Sequence, residues 1–408
     1  METFSNMISV FCLVFFVSVV SSNPPENDIQ TILTQSINNF STDLFKVVSQ
    51  DKEHAGKNLV MSAMSADILL AMLSLGAKGE TLKEMNDGLH LPNSAFTKAA
   101  YKPAIDKMNA FHNVTFHLAN KVYVEEGKDY ALAPVYKSLA TQLFNSEVEN
   151  IDFNQNIAAA EKINSWIEDK TNKTIKEIVQ ADDFKSDTAL VLVNAIYFKG
   201  TWKNQFIPKN TVETSFHVSA TDEIPIQMMN QQSETKYGDS EELDAKILEL
   251  AFEGNEMSMV FILPKEVDGL AVLEKKLTGD YASFQATVDS LKSVLVNMFV
   301  PKFKIETTAI LNDALSKLGM NTMFSDKAEL GDLLVNPFPL KVSQVIQKAF
   351  IEVNEEGGTA SATTTGKVVN HLPMPPSYEV FIADHPFYYA LVDSDGHIVF
   401  SGHFIGGN

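Results

Sequence analysis

No grouping of side chains in this sequence has the spacing that catalysis needs. There is no G-x-S-x-G elbow, no H-E-x-x-H pair, no Walker loop and no G-x-G-x-x-G turn. The nine histidines are scattered. His112 and His117 are five residues apart, wrong for one helical face, so they read as strand-flank residues rather than metal ligands. Asp393-Ser394-Asp395-Gly396 has a calcium-loop flavour but lacks the later ligands, and Asp395-Gly396 serves better as a hairpin turn. No metal and no cofactor is expected. The informative chemistry lies at 357–366, Gly-Gly-Thr-Ala-Ser-Ala-Thr-Thr-Thr-Gly, which has no charge, no aromatic ring and no proline. Such composition ordinarily marks a flexible linker. Only about forty residues follow it, too few for a further domain, and its threonines favour strand over coil. Every second residue from Gly358 (Gly358, Ala360, Ala362, Thr364, Gly366, Val368) is small or apolar, while Thr359, Ser361, Thr363 and Thr365 suit water. The segment reads as an exposed loop able to become a central strand.

The elements around it follow from periodicity. Val345, Phe350, Ile351 and Val353 form a strand running into Glu355 and Glu356. A run apolar on both faces, 188–202, reads as a buried central strand. Helical spacing predicts helices over 32–50, from about Ala66 with Ser65 as cap, over 81–88 and 94–110, within 130–144, within 158–175 and at about 308–318. Strands are expected at 58–61 and 114–126, and hairpins at Gly254-Asn255 and Asp395-Gly396.

Composition bounds the class. Forty-five per cent hydrophobic residues suffice for a large core, and no linker, repeat or low-complexity tract divides the 408 residues. The net charge of −20 with no arginine argues against nucleic acid and anionic membranes as partners. Residues 7–20 are apolar but too short for a comfortable span, and the small Val20, Ser21 and Ser22 follow, so residues 1–22 read as a secretory signal peptide. The single cysteine, Cys12, lies within it, leaving the mature chain without a disulfide. Sequons stand at Asn39, Asn113 and Asn172. An extracellular glycoprotein monomer is expected.

Four stretches carry a family resemblance in order: 58–85, beginning NLVMSAMSADILLAML; LVLVNAIYFKGTW at 190–202; VIQKAFIEVNEEGGTASATTT at 345–365; and FIADHPFYYALVD at 381–393. They resemble serpins, the serine-protease-inhibitor superfamily, and secreted insect-type members in particular. The resemblance spans nearly the whole mature chain. It implies an α+β fold with three β-sheets, about nine helices and an exposed reactive-centre loop at about 355–376, in a single domain over 23–408. It implies no enzyme but a suicide inhibitor of serine proteases, of chymotrypsin-like or elastase-like type. The alternative is a non-inhibitory carrier, storage or scaffold protein. The hinge would comprise Glu355, Glu356, Gly357, Gly358, Thr359, Ala360, Ala362 and Thr364, though Gly358 and Thr359 stand where the family commonly shows Thr and Glu. Counted from Glu355, the specificity residue falls at His371, with Leu372 on the leaving side. Alignment on Gly358 would put Pro373 after the bond, which is poorly cleaved. Lys367–Val368 is the alternative bond, Val368 or Val369 would suit an elastase, and Asn370 is a further candidate position. The sheet-opening region would include Ser62, Ser65, Asn194 and Gln347, with Gln347 in place of the common histidine, and Trp202 at the top of the sheet. Lys98, Lys102 and Lys107 fall where some members bind sulfated polysaccharide, but in so acidic a chain they read as a solvated helix face.

Overall fold

The computed structural model describes residues 26–112, 114–277, 281–357 and 378–407. The chain opens with α1 (Glu26–Ser49) and β1 (Leu59–Met61), followed by α2 (Ala63–Ser74), α3 (Gly79–Gly88) and α4 (Ser94–Asn109). Next come β2 (Val114–Glu125), α5 (Pro134–Phe144), β3 (Glu147–Ile151), α6 (Asn156–Lys170) and β4 (Leu190–Gly200). β5 (Val212–His217), β6 (Glu223–Ser240), β7 (Ala245–Ala251) and β8 (Met257–Pro264) are antiparallel neighbours in turn. α7 (Leu270–Leu277), α8 (Tyr281–Asp289), β9 (Lys292–Pro301), β10 (Phe303–Ile310), α9 (Asn312–Lys317) and β11 (Gln344–Val353) come after them. β12 (Glu379–Ile382), β13 (Phe387–Asp393) and β14 (Ile398–Phe404) end the chain. The described residues thus hold nine α-helices.

Two ladders organise these strands. One is five-stranded, in the order β10-β11-β4-β2-β3. The other is nine-stranded, β1-β14-β13-β8-β7-β6-β9-β12 with β5 on β6. The expected second and third sheets share the eighteen-residue β6, which pairs β5 in its first part and β9 and β7 later, so hydrogen bonding runs through both.

β4 shows why a strand can be apolar on both faces. Leu190, Leu192, Ile196 and Phe198 join the main core with α2, which is buried along its whole length. Val191, Val193, Ala195 and Tyr197 point the other way, into a smaller core with Ala159, Ala160, Ile163 and Ile167 of α6. Alternation along a strand sends successive side chains to opposite faces, so a sheet covered on both sides needs both sets apolar.

Several expected boundaries shift: α1 starts at Glu26 rather than 32 and α6 ends at Lys170, and two further shifts have a visible cause. Ser62, not Ser65, caps α2: its backbone is extended and its hydroxyl accepts from Ser65 N–H, so the helix starts at Ala63. The helix expected from 308 starts only at Asn312, because β10 alternates buried and exposed residues through Ile310. No helix among the described residues is long and apolar enough to cross a membrane.

Candidate functional site

The five-stranded sheet contains an unusual seam. β11 and β4 run parallel at its middle, in register from Gln344↔Val191 to Ile351↔Phe198. Their outer neighbours, β10 and β2, are antiparallel to them. A strand entering between β11 and β4, directed opposite to both, would give each an antiparallel partner. The chain leaving β11 continues directly into Glu355, Glu356 and Gly357.

A buried row of amides holds the seam shut. Register sets Gln347 beside Asn194 and Asn194 beside Asn120, on β11, β4 and β2 respectively. The Gln347 amide donates to Asn194 Oδ1 at 2.6 Å and to Ser62 O at 2.7 Å, and its Oε1 accepts from Ser62 N–H at 3.0 Å. The Asn194 amide donates to Asn120 Oδ1 and to Ser65 Oγ. Ser62 Oγ donates to Val399 O on β14 at 2.6 Å. Ser62, Ser65, Asn194 and Gln347 therefore lie together at the N-terminus of α2. Asn120 completes the set and was missed. Its signal was present, an isolated amide within the otherwise strand-like 114–126.

The root of the loop is anchored at the top of the sheet. Trp202 is buried, stacks on Phe252 with ring centroids 4.3 Å apart, and donates Nε1–H to Asn354 O at 2.8 Å. Trp202 N–H donates to Glu356 O and Phe206 N–H to Glu355 O, at 3.0 and 2.8 Å. Glu355 receives Lys302 Nζ at 2.9 Å and Thr211 Oγ1 at 2.8 Å. Burial alone would raise this carboxyl, but Lys302, its own backbone N–H and Thr211 together outweigh it and hold it below the usual carboxylate range. Gly357 turns the chain at φ +72°; a Cβ there would lie 2.5 Å from Gly200 O and 2.6 Å from Trp202 N, so glycine is required. Lys302 and Thr211 carry no motif that could have singled them out, whereas Asn354 lies within the 345–365 stretch.

Other expected residues lie elsewhere. Gly358, Thr359, Ala360, Ala362, Thr364, Lys367, Val368, His371 and Leu372 fall outside the described residues, as do Asn113 and residues 1–22. Lys102 pairs with Asp106 and Lys107 with Asp395, which dilutes the α4 cations. His117 stacks on Tyr197. Asp393 accepts from Asp395 and His397 N–H, which builds the β13–β14 turn.

The same architecture recurs in known proteins. The family profile described as Serpin (serine protease inhibitor) matches residues 35–406. The chain is a serpin. It is 37% identical over 405 residues to the antitrypsin of Bombyx mori, covering 98% of this chain and all of that one. It is 39% identical to the alaserpin of Manduca sexta over 379 residues, 92% of this chain and 94% of the other. The crystal structure of Serpin48 from the insect Tenebrio molitor superposes with a TM-score of 0.82 at 31% identity, covering 93% of this chain and 99% of that one. This serpin thus belongs to a family of inhibitors rather than enzymes, and a serine protease is the partner that membership implies.

Proposed function

We propose that this serpin is a secreted suicide inhibitor whose cleaved loop enters the β4–β11 seam. The observation that carries the reading is the parallel pair at the sheet centre, joined directly to a hinge whose inward residues bear no charge. The target's serine attacks the carbonyl carbon of His371, the bond to Leu372 N breaks, and the new amine leaves while His371 stays esterified to the enzyme. The freed N-terminal part of the loop then folds back as an antiparallel strand and carries the acyl-enzyme with it, and distortion of the enzyme stops deacylation. Ordering each loop residue costs about 1–2 kcal/mol. Each new ladder hydrogen bond returns about 0.5–1.5 kcal/mol. The margin is narrow enough that one charge on the inward face would slow insertion.

A chymotrypsin-like or elastase-like target suits His371 and the valines before it, whereas a trypsin-like one would use Lys367–Val368. Residues 1–22 would serve as the export signal. Among the sequons, Asn172 suits a glycan best, being exposed just past α6, whereas Asn39 is half-buried within α1 and Ser41 of its sequon is buried. We take the active species to be a monomer.

Incubation with chymotrypsin, pancreatic elastase and trypsin, followed by denaturing electrophoresis, tests the inhibitory reading. A complex that survives detergent supports it. Cleavage without a complex by all three would instead favour a carrier, storage or scaffold role. Mass spectrometry of the released C-terminal peptide fixes the bond: a start at Leu372 is expected, and a start at Val368 would move it to Lys367.

A further inference from the structure

Asp67 lies in the middle of α2 with no exposed surface at all. Its Oδ1 accepts the Tyr101 hydroxyl of α4 at 2.5 Å. Its Oδ2 is equally buried and has no hydrogen-bond partner. An ionised carboxylate in such a place keeps one oxygen without compensation, a costly arrangement that a proton relieves.

The titratable groups facing it are few. Tyr101 comes from α4, His90 from the turn after α3, and His397 from the turn just before β14. Both histidines are already engaged: His90 with Asp43 of α1 at 2.9 Å, and His397 with Asp393 at 2.8 Å and Thr34 of α1 at 3.0 Å. No lysine is among the groups acting on Asp67. Tyr136 of α5, one turn on, donates to the Met72 carbonyl instead.

We propose that Asp67 is a buried protonation switch in α2: the native serpin holds this carboxyl as the acid in mildly acidic surroundings and loses stability as it ionises. The role is independent of the inhibitory mechanism. Burial raises the carboxyl to about 7, against the smaller lowering effects of Tyr101, His90 and His397. In the unfolded chain an Asp titrates near about 3.9. The folded state therefore binds the extra proton between these values. The stabilisation is fully present below about pH 4, declines as pH rises, and is gone above about pH 7.

Asp67→Asn keeps the shape and the acceptor for Tyr101 but cannot ionise. Urea unfolding of the uncleaved protein and of this variant, compared from pH 5 to pH 8, isolates the one group, because the other carboxylates and histidines titrate alike in both. Relative to the variant, the wild-type unfolding constant is expected to rise by up to about tenfold per pH unit up to about pH 7, then level off. A wild-type-to-variant ratio that stays constant across the range overturns the proposal. Should Asp67→Asn fail to fold, Tyr101→Phe provides the second reading: it retains the ring packed on Phe144 while removing the hydrogen bond that favours the ionised form. The pH window must then move upward, and a window unchanged from wild type counts against the switch.

Discussion

At the scale of the residue, two positions within the hinge differ in kind. Glu355 anchors the loop root through Lys302 and Thr211. Its carboxyl is held below the usual range, so its stabilisation is present at neutral pH and is lost as pH falls through the folded-state value. Glu355→Gln should cost about 1–2 kcal/mol at pH 7, reduced because Lys302 is half in solvent. The gap between wild-type and variant denaturation midpoints should shrink toward pH 4; a gap that grows on acidification would refute the anchor. Ala362 belongs to the alternate residues of the loop proposed to face inward on insertion. Ala362→Arg should turn inhibitor into substrate, since burying an unpaired guanidinium costs several kcal/mol and slows insertion. Stable complexes formed by that variant at wild-type stoichiometry would show the inward assignment to be wrong.

At the scale of the element, the seam depends on one side chain. Opening between β11 and β4 must part Gln347 from Asn194. Gln347→Leu would leave Ser62 N–H and Asn194 Oδ1 without a partner inside the protein, and Ser62 O with Ala66 N–H alone. A loss of about 2–4 kcal/mol in chemical denaturation is expected, and a loss below the error of the measurement would mean that other groups close the seam. Because Gln347, Asn194 and Asn120 carry no titrating group, this row itself has no response to pH. The elements were largely legible. The doubly apolar run at 190–200 announced a central strand because two helices cover it. Spacing favours Ser65 as the cap of α2, yet Ser62 takes that role. It sits directly after a strand, and its capping depends on an extended backbone that spacing alone does not reveal. Helical spacing also runs back to 308, into β10, because Ile310 is an apolar residue left exposed and periodicity assigns it to the first turn of the next helix.

At the scale of the molecule, the native fold is closed but incomplete. The long β6 ties the nine-stranded sheet into one ladder, whereas the five-stranded sheet keeps a parallel seam that an antiparallel strand could divide. Much of the site was legible: the hinge composition and the set Ser62, Ser65, Asn194, Gln347 and Trp202 follow from motifs. Asn120, Lys302 and Thr211 were not, because each reaches the site through tertiary packing from a segment without a motif. The central claim is that the loop, once cut, becomes a strand of that sheet. The most direct measurement is the thermal unfolding midpoint of the intact protein and of the same protein after limited proteolysis confined to the loop, both followed by far-ultraviolet circular dichroism. Insertion predicts a rise of more than about 10 °C on cleavage, since the relaxed sheet gains a full set of ladder bonds. A midpoint that stays the same or falls would contradict it.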